Sequence, residues 1–231
     1  MTFAIESANP VVRREVLNRR MDEELIFRVL SHLNGLGYKV RTEQMLGLPC
    51  GATTEPTEIN LDADLKTLEL NARLREQTGL PTLAWASIFA PYPGTKLGDY
   101  CRKHGFYSGD NTDIPETFFE QSVLRFPRQW VGPRLSAERE EFWLSPEGQE
   151  QYREKLTSLR QVFQIAATLQ NGHILARNFL DQPHHSLADF STAMRRHVYD
   201  YQLYDLGVPI QNPPPLLSFS DQRKGKLRPK K

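Results

Sequence analysis

Cysteine is scarce in this chain, which has only Cys50 and Cys101 among its 231 residues. Two cysteines cannot build a disulfide framework or a four-cysteine metal site, and they favour a protein of the reducing cytoplasm. A lone cysteine is most often a small buried apolar residue, and we expect this of Cys101, which lies at helical spacing from Leu97. Cys50 lies in a predicted loop, where a reactive thiol, a metal ligand and a small buried apolar residue all stay open as interpretations.

The chain also lacks an excess of charge of either sign. Its 29 basic and 28 acidic residues give a formal net charge of +1, so no overall field attracts nucleic acid or an anionic membrane. No apolar run approaches the roughly 18 residues of a membrane span, and the first residues lack the pattern of a signal peptide. We therefore expect a cytoplasmic protein that binds small molecules or proteins, with no membrane and no specific nucleic-acid partner.

What the sequence does contain is an alternation of strands and helices over its first hundred residues. Short apolar segments are each followed by a helical pattern, which is the order of βα units in a parallel sheet. The first strand has no preceding element to pack against, which is the pattern of a chain that starts within a fold. The predicted strands cover residues 3–9, 38–45 and 83–89.

Helical periodicity predicts the helices between these strands. Apolar residues recur at helical spacing from Leu25 to Leu33 and from Leu61 to Ala72. Glycines that follow each run are typical of helix ends. A third helix is predicted from Thr95 to about His104.

The rest of the chain differs in character from this βα part. An irregular, aromatic segment is predicted to be a packed connection, and two helices follow, from Ser145-Pro146 to Asn171-Gly172 and from Ser186 to Tyr201. The end is basic and of low complexity, which is typical of disorder. The predicted division is a βα part, a connection, a helical extension and a tail, with bounds 1–105, 106–135, 136–208 and 209–231.

Loops that follow the carboxyl ends of parallel strands build the sites of such folds. The first such loop starts with Glu6, whose carboxylate can accept hydrogen bonds from an ammonium or a hydroxyl group, or can support a helix N-terminus. In the second, Gly47 permits close approach of backbone to a ligand, or simply a tight turn. In the third, Tyr92 stands between two prolines, where it can contact a ligand or pack under the third helix.

In their order and spacing these three segments resemble the later βα units of radical S-adenosylmethionine enzymes. The matching strings are Glu6-Ser7, Gly47-Leu48-Pro49 and Pro91-Tyr92-Pro93-Gly94-Thr95, and the resemblance is closest to the branch with a cobalamin-binding domain. It covers about Phe3 to Pro127. The fold that it implies is the α/β C-terminal half of a partial TIM-type (βα) barrel with parallel strands, followed by an α-helical extension.

The resemblance also implies roles for individual residues. Those that would face the cofactor S-adenosylmethionine are Glu6, Ser7, Gly47, Leu48 and Pro49. Those that would face a small-molecule substrate are Tyr92 and Cys50. The family chemistry uses a 4Fe-4S cluster to cleave S-adenosylmethionine to a 5′-deoxyadenosyl radical, and in the cobalamin branch methyl transfer often follows.

The sequence departs from this family in two respects. The family's Cys-x-x-x-Cys-x-x-Cys cluster motif is absent, and Cys50-Gly51 stand where the family usually continues Gly-Glu. Two isolated cysteines cannot supply three cluster thiolates, so we expect no radical chemistry from this chain alone. The implied partner is a missing N-terminal half that carries the cluster and cobalamin domains. The alternative is a non-enzymatic interaction module that docks through the half-barrel edge and the segment Phe118 to Trp130.

Overall fold

Three parallel strands form one sheet in the part of the chain that the structure describes. A computed structural model describes residues 1–49, 61–110, 112, 114, 121–125, 137–181, 190, 193 and 194. The strands are β1 (Thr2–Glu6), β2 (Arg41–Leu46) and β3 (Leu83–Ile88), and they lie in the order β1-β2-β3. The prediction of an α/β protein with parallel strands is confirmed, although β2 begins three residues later than its apolar pattern suggested.

The helices that link these strands begin and end where the sequence indicated. Helix α1 (Glu23–Gly35) starts at Asp22, whose side chain accepts the Leu25 N–H, and α2 (Asp62–Thr78) ends at Gly79 in the left-handed conformation. In α3 (Lys96–Lys103) the N-cap is Thr95, which accepts the Gly98 N–H. Capping residues form hydrogen bonds with the free backbone groups at helix ends. Because only certain residue types do this, these helix boundaries can be predicted from the sequence.

The later helices differ from the prediction. Helix α4 (Ala137–Leu144) was not predicted, and α5 (Pro146–Ala166) ends five residues before the expected Asn171. Asn171 has a φ of 54° and precedes another unpredicted helix, α6 (Gly172–Leu180). A Cβ at Gly172 would lie 1.8 Å from the Ala166 carbonyl oxygen. The Asn-Gly pair is therefore a tight junction between two helices and not the end of one.

The helix predicted from Ser186 is only partly visible. Phe190, Ala193 and Met194 are helical, and the first two are buried. Most of the connection, the remainder of this helix and the tail lie outside the described residues.

The two faces of the sheet are covered unequally. In β2 the side chains of Thr42, Gln44 and Leu46 are buried, whereas Arg41 is exposed and Glu43 is half-buried. Both helices that connect the strands pack on the first of these faces, where Asn71 of α2 accepts a hydrogen bond from the Thr42 hydroxyl. Within the described part of the chain, the second face is the more open one.

The C-terminal helices complete the same core. One apolar cluster joins strand residues to residues of α5 and α6, with Leu46, Ile88, Leu156, Phe163 and Phe179 all buried in it. The helical extension therefore packs directly on the sheet. The domain bounds given above stay a prediction.

No helix in the described ranges is both long and apolar enough to cross a membrane. The cytoplasmic location stays a prediction.

The cap of α5 offers a simple test of this architecture. The Ser145 hydroxyl accepts the Gly148 N–H at 3.1 Å and donates to the Phe142 carbonyl at 2.6 Å. We expect Ser145→Ala to lower the free energy of unfolding by about 1 kcal/mol, measured by urea denaturation. Ser145→Asp, which retains a capping oxygen, should recover most of the loss. Equal stability of Ser145→Ala and the wild type would contradict the assignment.

Candidate functional site

The three predicted loops leave the sheet at the same edge. Leu46 is in register with Ile88, Glu6 is in register with Gln44, and the Phe89 N–H donates to the Leu46 carbonyl at 2.9 Å. Beyond this edge lies a buried apolar cluster that includes Val12, Leu48, Phe89, Cys101, Phe106 and Leu124. The burial predicted for Cys101 is confirmed, and burial raises the pKa of its thiol to about 12. The segments that follow the carboxyl ends of the strands therefore pack together in one apolar cluster, which fixes the backbones of these loops.

Glu6 has an unusual backbone conformation at the end of β1. Its φ is +68°, and the pairing register shifts between Ala4 and Glu6. Positive φ values in residues other than glycine are uncommon and concentrate at functional sites. The Glu6 carboxylate is 13% exposed and accepts a hydrogen bond from Arg19 Nη2 at 2.7 Å. Glu6 therefore pairs with the Arg19 guanidinium, whereas the sequence had also allowed it to support a helix N-terminus.

The electrostatics of Glu6 follow from that position. Burial raises the pKa of Glu6 above its usual value, the attraction of Arg19 opposes the rise, and the Glu43 carboxylate adds to it. Glu43 lies on the open face of the sheet, where it pairs with Arg41 at 2.5 Å. The Arg41 guanidinium in turn stands 5.5 Å from the centre of the Trp85 ring. The open face therefore carries the ion pair of Arg41 and Glu43 beside the Trp85 ring.

Ser7 is buried and engaged within its own loop. Its hydroxyl accepts the Asn9 N–H at 3.2 Å, and its carbonyl accepts a hydrogen bond from Arg13 Nη1 at 2.8 Å. Arg13 is fully buried and also donates to the carbonyls of Ala8 and Met21. It lies in a π-helical turn, Val12–Val16, a rare element that is frequent at functional sites. Sequence reasoning missed Arg13 because the acceptors of its hydrogen bonds are backbone carbonyls, which no side-chain pattern reveals.

The Gly47-Leu48-Pro49 loop can contact a ligand through its backbone, but hardly through its side chains. Leu48 and Pro49 are both buried. Gly47 has a φ of +74°, and a Cβ there would lie 2.5 Å from Leu156 Cδ2. Glycine is required both by the left-handed conformation and by the close approach of α5. Both the tight-turn interpretation and the ligand interpretation of this glycine stay compatible with its conformation.

A buried polar row on α2 holds the first two loops. Asp64 Oδ1 accepts the Gly47 N–H at 3.0 Å, and Thr67 Oγ1 accepts the Ala8 N–H at 2.9 Å. Asn71 Oδ1 accepts hydrogen bonds from the Thr42 hydroxyl and the Gln44 amide. Burial raises the pKa of Asp64 to about 7, against the opposing effect of the Gly47 N–H.

Sequence analysis overlooked these three residues because it followed the apolar stripe of the helix. Asp64, Thr67 and Asn71 recur at i, i+3 and i+7 beside that stripe, so they share one face of the helix. That spacing is the signal which could have identified them.

The two remaining candidates are Tyr92 and Cys50, which were predicted to face a substrate. Tyr92 is 48% exposed, and its carbonyl accepts the Thr95 hydroxyl at 2.7 Å. Its exposed ring is compatible with ligand contact, which stays a prediction. Cys50 lies outside the described residues. No three His, Cys, Asp or Glu side chains come together as possible metal ligands anywhere in the part of the chain that is described.

Comparison with known proteins gives one informative similarity. No family model matches the chain. The chain is similar to cytidylyl-2-hydroxyethylphosphonate methyltransferase of Streptomyces wedmorensis, with 24% identity over 140 residues. The match covers 59% of this chain and 24% of the relative. The chain thus corresponds to about a quarter of the length of that methyltransferase.

Proposed function

We propose that this chain is part of a radical S-adenosylmethionine methyltransferase of the cobalamin-binding branch, in which it contributes loops that face S-adenosylmethionine and the substrate. The observation that carries the proposal is the convergence of the motif-bearing loops of β1 and β2 at one edge of a parallel sheet, above a shared apolar cluster. The similarity to a methyltransferase supports the same reaction class.

The architecture proposed for the whole enzyme is a (βα) barrel of which these strands form an arc. The strand order β1-β2-β3 and the position of both linking helices on one face support an arc, since a doubly wound sheet places helices on both faces. Parallel sheets are almost always covered on both faces. We propose that the open face is covered by the barrel strands of a missing N-terminal half, which also brings the cluster and cobalamin domains.

The residues of the site suit S-adenosylmethionine but not the cluster. The largely buried Glu6 carboxylate can accept hydrogen bonds from the amino or ribose hydroxyl groups of the cofactor, and the backbone of residues 47–49 can lie along it. In the complete enzyme, S-adenosylmethionine supplies the radical or the methyl group. The two cysteines of this chain cannot hold the family's cluster. This chain's own part is therefore to bind, orient and exclude water.

The similarity to a methyltransferase also suggests the kind of substrate. The relative's name describes a substrate with a cytidylyl group and a phosphonate, that is, a molecule with a planar ring and an anionic group. We propose a small anionic substrate of this kind, without assigning its structure.

Glu6 provides the test of the proposed function. We expect the purified chain to bind S-adenosylmethionine weakly, and Glu6→Gln to weaken that binding by about 10-fold or more, because a charge-assisted hydrogen bond contributes roughly 1.5–3 kcal/mol. Equilibrium dialysis with radiolabelled S-adenosylmethionine measures both affinities.

The matched control is Glu15→Gln. Glu15 is likewise paired with an arginine, Arg14, but its side chain is 44% exposed. This control should leave the affinity unchanged. Equal loss in both variants, or no binding by the wild type, would contradict the proposal. Tight capture of an unrelated protein by a chain that ignores S-adenosylmethionine would instead favour the interaction-module alternative, for which the open sheet face is the supporting observation.

A further inference from the structure

Asp64 is a buried carboxylate to which the proposed function gives no task. It lies in the first turn of α2, is 6% exposed, and accepts the Gly47 N–H at 3.0 Å. A buried carboxylate costs free energy that an apolar side chain of similar size does not. Asp62, two residues earlier, shows the ordinary arrangement, because it is half-exposed and pairs with Arg177.

The geometry around Gly47 explains what the carboxylate does. Leu156 fills the space where a side chain on residue 47 would lie, and Leu48 is anchored in the apolar cluster. Glycine itself resists rotation of its backbone only weakly. The hydrogen bond from the Gly47 N–H to Asp64 therefore selects one orientation of the peptide at the exit of β2.

We propose that Asp64 is the positioning residue of the β2 exit, and that its bond to the Gly47 N–H holds the backbone of residues 47–49 in the geometry that receives S-adenosylmethionine. This inference rests on the proposed function. A carboxylate is a stronger acceptor than a neutral carboxylic acid. The loop is thus held most firmly when Asp64 is ionised, and affinity for the cofactor should rise with pH as its proton is lost.

The surroundings of Asp64 make this dependence simple to interpret. The 47–49 loop carries no charged side chain. On α2, Asp62 faces Arg177 and Lys66 is exposed. Among the described residues, burial raises the Asp64 pKa to about 7, the Gly47 N–H opposes this rise, and no charged side chain contributes to it. Titration of this one group should therefore govern the loop near neutral pH.

Two variants separate positioning from simple loss of structure. Asp64→Asn retains an oxygen that can accept the Gly47 N–H but cannot ionise, whereas Asp64→Ala retains no acceptor. In the full-length chain, the Gly47 amide resonance should shift with pH in the wild type, with a midpoint near 7, and stay constant in both variants. Two-dimensional NMR of labelled protein records this and also shows whether each variant is folded.

The affinity for S-adenosylmethionine is the second measurement, made by dialysis between about pH 6 and pH 8. The wild type should bind several-fold more tightly at the higher pH. Asp64→Asn should bind with a constant, intermediate affinity, and Asp64→Ala about 10-fold more weakly than the wild type at pH 8. Asp62→Asn should keep the wild-type profile.

The possible failures are distinguishable. Wild-type affinity that does not vary with pH, or wild-type affinity in folded Asp64→Ala, would overturn the positioning role while the proposed function stands. Absence of S-adenosylmethionine binding by the wild type at every pH would overturn the proposed function, and this inference with it.

Discussion

Asp64→Asn should make the protein more stable than the wild type at alkaline pH. Burial raises the pKa of Asp64 from 3.8 to about 7, so the folded state keeps a proton that the unfolded state has lost. Stability from this group is complete below about pH 4 and falls as pH rises through about 7. The difference between a pKa of 3.8 in the unfolded state and about 7 in the folded state corresponds to about 4 kcal/mol. The advantage of the variant should therefore grow by about that amount between pH 4 and pH 8.

Chemical denaturation of both proteins at several pH values measures this difference, and the subtraction removes titrations that the two share. Asp62→Asn is the matched control, because Asp62 is half-exposed and paired with Arg177; its difference from the wild type should stay within about 1 kcal/mol. A constant difference between Asp64→Asn and the wild type at all pH values would show that Asp64 is not buried as described.

Gly47→Ala should lower the free energy of unfolding by about 2–5 kcal/mol. A φ of +74° costs an alanine about 1–2 kcal/mol. A Cβ only 2.5 Å from Leu156 Cδ2 also forces this fully buried leucine to move within its core, and such overpacking costs about 1–3 kcal/mol. Urea denaturation measures the loss.

Gly37→Ala isolates the backbone part of that effect, so the difference between the two variants gives the steric part. Gly37 has a nearly identical φ of +77°, but a Cβ there has nothing within 4 Å. This variant should lose only the backbone contribution of about 1 kcal/mol. If the two variants lose the same free energy, the close contact between the β2 exit and α5 is refuted.

Asp64→Asn separates the stability of the protein from its affinity for the cofactor. Asp64→Asn is expected to gain stability at pH 8 and to lose affinity for S-adenosylmethionine there. Sites that hold a buried charge commonly show this trade-off, because the geometry needed for binding is not the geometry of lowest free energy.

Local signals in the sequence determined the strands and the first three helices of this protein. Ser145 caps α5 as predicted, the predicted third helix begins at Thr95, and Gly79 ends α2. Caps and periodic apolar residues act over a few positions, so the residues next to each other in the sequence are enough to predict a helix or a strand. The order of these elements also predicts that Glu6 and Gly47 lie at the carboxyl ends of neighbouring parallel strands.

Tertiary structure alone decided how that edge is built. The partner of Glu6 is Arg19, the contact that restricts Gly47 comes from Leu156, more than a hundred residues away, and the acceptor of its N–H is Asp64. Each is a contact between elements that only packing brings together. The Asn171-Gly172 junction likewise depends on the close approach of two helices. Short-range pattern determined the strands and the first three helices, and long-range packing determined the Asn171-Gly172 junction and the polar contacts that a ligand would meet.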